Sequence, residues 1–152
     1  MPDPSPAEAV IVSTARTAIG TAGRGSLVDV DPFDLATWVV ADALRRSGLA
    51  AGDVDDVVLG ESLQGGGAIA RYAAIEAGIV EAPGLAHNRH CASGLAAVQT
   101  AAASVMAGMG RVVVAGGVHS SWRAPADREA AVAAPSSRSD GDPNGARLGG
   151  CW

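Results

Sequence analysis

Cys91 is the residue of this sequence whose type and setting best suit covalent chemistry. It lies in the segment NRHCASGLAAV, residues 88–98, after a predicted strand and at the start of a predicted helix. A helix start carries a partial positive charge and backbone N–H groups without intrahelical partners. Both favour a thiolate, and the N–H groups could face the oxyanion of an attacked carbonyl. The segment therefore predicts a cysteine nucleophile, with Gly94 allowing close approach of a substrate or another backbone.

The cysteines also allow a plainer interpretation, because a cysteine in an apolar setting is usually a small buried hydrophobic residue. Their number and spacing predict neither a disulfide framework nor a metal site. Cys151 is followed only by Trp152, at the end of the sequence. Composition alone therefore leaves a structural role for Cys91 open.

Three histidines are the candidates for a base. His90 adjoins Cys91, but neighbouring side chains leave a backbone in different directions. His87 lies in a predicted strand, and His119 follows the last predicted strand, at the edge where α/β sheets bind ligands. A structural or surface histidine is the commoner case for each. None of the three is assigned a catalytic role.

Other polar and glycine-rich segments favour structural interpretations. The sequence contains no lysine, which excludes a Walker P-loop and Schiff-base catalysis. Gly65–Gly67 precede a predicted helix without a G-x-G-x-x-G pattern, so we interpret them as a turn. Asp53, Asp55 and Asp56 are interpreted as solvated residues that flank a strand.

The elements that must position Cys91 alternate between strands and helices. Short β-branched runs predict strands, and apolar residues at helical spacing predict helices. The alternation predicts an α/β layered fold with a mostly parallel sheet. The last helix is apolar on nearly every face, which predicts a buried helix. The predicted strands are residues 9–14, 54–59, 85–90 and 111–115, and the predicted helices are a segment capped by Asp31 or Asp34 that ends near Ser47, residues 68–78, and residues 92–106.

Composition bounds the class of protein. The chain has 152 residues and a formal net charge of −5, which argues against nucleic acid as a partner. No signal peptide or membrane-spanning run is recognisable, so we expect a reduced, cytoplasmic protein without membrane contact. After Trp122 the pattern gives way to Pro, Ser, Asp, Gly and Arg. We therefore predict one domain over residues 1–122 and an irregular, disordered tail over residues 123–152, arising from a frameshift or truncation.

Four segments, in order over about residues 9–122, resemble the thiolase family. AVIVSTARTAIG is similar to the family's first strand and Arg-Thr-x-x-Gly loop, and GESLQGGGAIARYAAIEAGI to its Leu-Gln turn and Ala-Arg helix. NRHCASGLAAV resembles the nucleophile motif, and RVVVAGGVHSS the next strand with its Gly-Gly turn. The matching positions are Arg16, Thr17, Gly20, Gly60, Leu63, Gln64, Ala70, Arg71, Ala73, Ala74, Gly78, Asn88, Cys91, Ser93, Gly94, Leu95, Ala115, Gly116, Gly117 and Ser120.

The resemblance implies an acyl-CoA acyltransferase, either an acetyl-CoA acetyltransferase or a 3-ketoacyl-CoA thiolase. The Cys91 thiolate would take an acyl group from a CoA thioester and pass it to a second substrate. The family uses no metal and no prosthetic group; CoA thioesters are its substrates, and its members are homo-oligomers. The implied fold is a thiolase-like layered half-domain, with a mixed, mostly parallel sheet around a buried helix.

The family's other catalytic motifs, Asn-Glu-x-x-Ala, Gly-His-Pro and Cys-x-Gly-x-Gly, do not occur in this sequence. No CoA-binding residue can therefore be assigned, and we expect the chain by itself to be weakly active or inactive. His119 and Trp122 also stand where the family commonly has Glu and Ser. The alternative hypothesis is a non-catalytic α/β fragment, or an interaction module that pairs with a full-length relative through an exposed apolar face.

Overall fold

The computed structural model describes residues 8–63 and 66–121. In these residues a three-stranded sheet has the strand order β2-β1-β3. The elements are α1 (Pro32–Ser47), a 3-10 turn (Ala51–Asp53), β1 (Asp56–Gly60), α2 (Ile69–Glu76), β2 (Gly84–His87), α3 (Ser93–Met106) and β3 (Val113–Gly117).

Both strand pairings are parallel, which confirms the predicted α/β fold class. Val58 of β1 lies opposite Leu85 on one side and Ala115 on the other. Helices α1 and α2 pack on each other and on one face of the sheet, while α3 packs on β1 and β3. The main core lies under α1 and α2, around Val40, Val57 and Ile69. A parallel sheet covered by helices needs strands that are apolar in both directions, as β1 is.

The ends of α1 follow directly from its sequence. The Asp31 carboxylate accepts a hydrogen bond of 2.8 Å from the Phe33 N–H, and Pro32 begins the helix. Gly48 ends it in the left-handed conformation, with φ of 73°. Of the two predicted capping residues, Asp31 is therefore the one that caps the helix.

The predicted strand over residues 9–14 is wrong for this structure. The segment belongs to no strand of the described sheet, and Val10, Ile11 and Val12 are 72, 77 and 69% exposed. It is held beside α1 by the Ser13 hydroxyl, which donates to the Ala43 carbonyl over 2.8 Å. β-branched residues favour extended backbone, but a strand also needs a neighbour that accepts its ladder of hydrogen bonds. Within the described residues that neighbour is not present.

The prediction that α3 is buried all round is also wrong. Ser93, Ala96, Ala97 and Ala101 face the sheet and are buried, whereas the opposite side of the helix is exposed. An all-apolar pattern predicts burial only if a second layer covers the far face, and the described residues contribute no such layer. The exposed large residues on α3 are Leu95, Val98 and Met106.

The strands begin and end slightly away from their predicted limits, and Asp55 explains one shift. Its carboxylate accepts the N–H groups of Arg111, at 2.6 Å, and Val112, at 2.9 Å. These amides are therefore not available to β1, and the ladder of β3 begins at Val113. The same two bonds hold the pKa of Asp55 below its ordinary value, and the bond from Arg111 has the larger effect.

The three neighbouring aspartates each accept hydrogen bonds from backbone N–H groups. Asp53 accepts the Ala50 N–H at 2.9 Å, and Asp56 accepts its neighbour's N–H, on Val57, at 2.7 Å. Across residues 8–63 and 66–121, no three His, Cys, Asp or Glu side chains are grouped to hold a metal ion. In the same ranges no helix is long and apolar enough to cross a membrane. The predicted tail, residues 123–152, lies outside the described residues, and its disorder stays a prediction.

Candidate active site

A tight turn, residues 88–92, connects β2 to α3 and carries Cys91; we call it the cysteine turn. His90 has φ of 52°, the one positive value of a non-glycine residue in the described ranges. This left-handed conformation costs about 1 kcal/mol, so surrounding bonds must hold it. The Asn88 Oδ1 accepts the His90 N–H over 2.7 Å and supplies part of that hold.

Ser93 is the buried anchor of the cysteine turn. Its side chain is 4% exposed and lies at the first position of α3. The hydroxyl accepts the Arg89 N–H at 2.8 Å and directs its proton toward the carbonyl oxygens of His90, at 2.7 Å, and Glu61, at 3.1 Å. One hydroxyl therefore joins both sides of the turn to the segment that follows β1.

Two glycines allow α3 to begin this close to the sheet. Gly60 of β1 and Gly117 of β3 are opposite each other in the register. A Cβ on Gly60 would lie 2.5 Å from the Ser93 carbonyl oxygen and 2.6 Å from the Gly94 nitrogen. A Cβ on Gly117 would lie 3.0 Å from the Gly94 Cα. The close approach expected at Gly94 is thus an approach to the sheet.

Cys91 lies two residues before Ser93, the first residue of α3, as predicted, and its side chain is exposed. The helix N-cap, Ala92, contributes no side-chain hydrogen bond, and the first turn of α3 contains no acidic residue. The positive end of the helix is therefore not neutralised from within these positions. The exposed sulfur of Cys91 lies directly ahead of this helix end, where a reagent can reach it.

The backbone donors expected beside the sulfur are partly in use. The Ala92 N–H bonds to the Arg89 carbonyl and the Ser93 N–H to the His90 carbonyl, each at 3.1 Å. These bonds close the cysteine turn instead of pointing into an open site. These two N–H groups are therefore not available to an oxyanion in this structure, because a tight turn satisfies its own donors first. That other N–H groups at the helix start face an oxyanion stays a prediction.

The structure brings His119 close to the cysteine turn through one intermediate, Ser62. The Ser62 hydroxyl lies 2.9 Å from Nδ1 of His119. The backbone carbonyl of Ser62 accepts a hydrogen bond from Asn88 Nδ2 at 2.8 Å. The other imidazole nitrogen, Nε2, lies 3.0 Å from the Ser121 hydroxyl. The sequence indicates His119 at the sheet edge but gives no sign of its contact with Ser62, although both residues follow neighbouring parallel strands.

The side chains of the other two histidines lie apart from this arrangement. His90 is exposed in the turn, and Nε2 of His87 is buried without a partner in the described residues. Glu61, whose burial no sequence pattern indicated, is 7% exposed and accepts the Gly67 N–H at 2.5 Å. That bond supports the interpretation of the glycine segment as a turn, although Gly65 lies outside the described residues.

Open clefts lie on both sides of these residues. One, of about 330 Å³, separates residues 17–23 from residues 117–121 at the end of β3. The other, of about 490 Å³, lies between β2 and α3, and Asn88 and Arg89 of the cysteine turn contribute to its wall. A bound molecule could contact the cysteine turn from this second cleft.

Known proteins share this arrangement of motifs and fold. The family model described as "Thiolase, N-terminal domain" matches residues 9–144. Beta-ketothiolase BktB of Cupriavidus necator is 43% identical over 122 residues, and a putative acetyl-CoA C-acetyltransferase, VraB, of Staphylococcus aureus is 42% identical over 119. Each alignment covers 78% of this chain and 31% of the relative.

A solved structure shows the same fold. The Bacillus anthracis acetyl-CoA acetyltransferase superposes with a TM-score of 0.69 and 39% identity, over 74% of this chain and 30% of that one. The chain thus spans about a third of the length of the relatives it matches. The family model, the relatives and the superposition agree with the motif order read from the sequence. The chain belongs to the thiolase family and corresponds to part of its N-terminal domain.

Proposed function

We propose that Cys91 is the nucleophile of an acyl transfer from a CoA thioester. The observation that carries the proposal is its placement: an exposed sulfur on a turn that buried bonds hold, directly ahead of α3. The relatives are named as a ketothiolase and an acetyl-CoA acetyltransferase, which supports acyl-CoA as the substrate class.

The proposed step balances without any further reactant. The Cys91 thiolate attacks the thioester carbonyl carbon, the bond from that carbon to the CoA sulfur breaks, and an acyl thioester forms on Cys91. The departing CoA thiolate takes up a proton. A second acyl acceptor then regenerates the cysteine. Deacylation and any base would draw on parts of the family that this chain does not contain, so we expect slow turnover at most.

We expect Cys91 to react with iodoacetamide at neutral pH at least about tenfold faster than Cys151, because the Cys91 sulfur is exposed directly ahead of the positive end of α3. With acetyl-CoA, intact mass should rise by one acetyl group. Peptide mapping by mass spectrometry locates both adducts, and Cys151→Ser and Cys91→Ala serve as matched controls. An acetyl group that persists in Cys91→Ala, or equal alkylation of the two cysteines, would refute the proposal.

The exposed side of α3 favours a second candidate function, that of an association module. Leu95 is 66% exposed, Met106 is 55% exposed and Val98 is 39% exposed, along one helix. An apolar face of this kind marks an association surface in a soluble protein. Homo-oligomers, or pairing with a full-length relative, are the forms that this function would take.

The prediction for this face concerns oligomeric size. Light scattering after size-exclusion chromatography should show oligomers of the unmodified chain. The double variant Leu95→Gln with Val98→Gln should weaken the assembly more than about tenfold, since two apolar side chains no longer become buried. Ile75→Gln changes an exposed apolar residue of α2, 45% exposed, and should leave the assembly intact. A monodisperse monomer of the unmodified chain would count against the association module.

A further inference from the structure

His119 lies between two hydroxyl groups at the end of β3. Its Nδ1 lies 2.9 Å from the Ser62 Oγ and its Nε2 lies 3.0 Å from the Ser121 Oγ. Both nitrogens of an exposed imidazole are therefore engaged, which holds the ring in one orientation. A hydroxyl can donate or accept, so this arrangement suits either neutral tautomer.

The bond to Ser62 continues into the cysteine turn. The Ser62 carbonyl accepts Asn88 Nδ2 at 2.8 Å, and Oδ1 of the same amide accepts the His90 N–H at 2.7 Å. Asn88 is thus held at both ends of its side chain. The residue that receives this bond, His90, has the strained φ of 52° directly before Cys91.

The strands bring these residues together. The Val118 N–H donates to the Gly60 carbonyl at 3.1 Å, so the segment after β3 lies along the end of β1. The Glu61 N–H donates to the His87 carbonyl at 3.0 Å, so the segment after β1 lies along the end of β2. His119, Ser62 and Asn88 therefore follow three adjacent parallel strands in spatial order.

We propose that His119 is a positioning residue for the cysteine turn, acting through Ser62 and Asn88. It holds the Ser62 side chain, the Ser62 backbone holds Asn88, and Asn88 holds the strained His90 amide. The assignment rests on the proposed function only in that the turn presents a nucleophile. We assign His119 no contact with the reacting atoms and no role as a base.

Two conservative variants of His119 distinguish the hydrogen bond of Nδ1 from that of Nε2. An asparagine amide places a polar atom near Nδ1, and a glutamine amide places one near Nε2. His119→Asn should therefore keep the bond to Ser62, while His119→Gln should keep only the bond to Ser121. Because the side chain is exposed, neither variant alters the core.

Amide hydrogen exchange of His90, followed by NMR on the full chain, tests the inference directly. We expect His119→Ala and His119→Gln to speed this exchange about two- to tenfold, as the loss of one exposed hydrogen bond implies. His119→Asn should restore the original rate, and Val58 should be unaffected in all three variants. Alkylation of Cys91 at neutral pH should slow in the same two variants.

Unchanged exchange at His90 in His119→Ala, or no difference between the Asn and Gln variants, would overturn the positioning role. An equal change at Val58 would also overturn it, since it would report general destabilisation. The proposed function fails separately, if Cys91 of the unmodified chain reacts no faster than Cys151. Exchange at His90 does not depend on that comparison, so the two failures are distinguishable.

Discussion

The variant Gly60→Ala is expected to lose about 3 kcal/mol of unfolding free energy, the upper part of the range for an overpacked interior site. The added methyl group would lie 2.5 Å from the Ser93 carbonyl oxygen and 2.6 Å from the Gly94 nitrogen. Both are backbone atoms at the start of α3, which cannot rotate away as a flexible side chain can. Relief requires that the helix move off the sheet, which would also displace Cys91. Urea denaturation followed by circular dichroism measures the loss.

Gly52→Ala provides the matched control for this substitution. A Cβ at Gly52 meets no atom within 4 Å, so the same chemical change should alter stability by less than about 0.5 kcal/mol. The preference of Cys91 over Cys151 in alkylation should survive in Gly52→Ala and fall in Gly60→Ala. Similar stabilities for the two variants would show that the close approach of α3 to β1 does not exist in solution.

The second large effect is expected for Ser93→Ala. This change removes the hydroxyl that accepts the Arg89 N–H at 2.8 Å and that bonds toward Glu61 and His90. The bond to the Glu61 carbonyl is buried, and a buried polar group left without its partner costs about 1–3 kcal/mol, so we expect a loss of about 2 kcal/mol. The strained conformation of His90 also loses the hydrogen bond that its carbonyl accepts from the Ser93 hydroxyl. The alkylation rate of Cys91 should therefore approach that of Cys151, as measured by peptide mapping.

Ser104→Ala serves as the control, because it removes a hydroxyl from the same helix several turns away from the cysteine turn. Its stability and its alkylation pattern should match those of the unmodified chain. If Ser93→Ala keeps the full reactivity of Cys91 while losing stability, Ser93 is an anchor of the fold only. If it loses neither, the buried hydrogen bonds of Ser93 do not exist in solution.

Local patterns were sufficient to predict most of the elements. Asp31 and Gly48 limit α1 because capping depends on a few adjacent residues. The alternation of strands and helices predicted the parallel sheet because parallel neighbours require crossover connections. The family was recognised from motifs that lie close together in sequence, and the match over residues 9–144 confirms it.

The failures concern properties that no local segment possesses. Residues 9–14 have strand propensity, but pairing depends on a neighbouring strand, and burial of α3 depends on a second covering layer. The contact between Gly60 and Ser93 joins residues far apart in sequence, as does the path from His119 through Ser62 to Asn88. Spacing within a motif carries no information about such distances.

The sequence by itself determined the order of the elements from α1 to β3, the family and the position of Cys91 at the start of α3, because propensities and capping act over a few residues. Tertiary structure alone decided that the sulfur is exposed, that the Ala92 and Ser93 N–H groups donate hydrogen bonds within the turn, and that His119 contacts the turn through Ser62. Those outcomes depend on how three strand ends meet at one edge of the sheet, and only the folded chain brings them there.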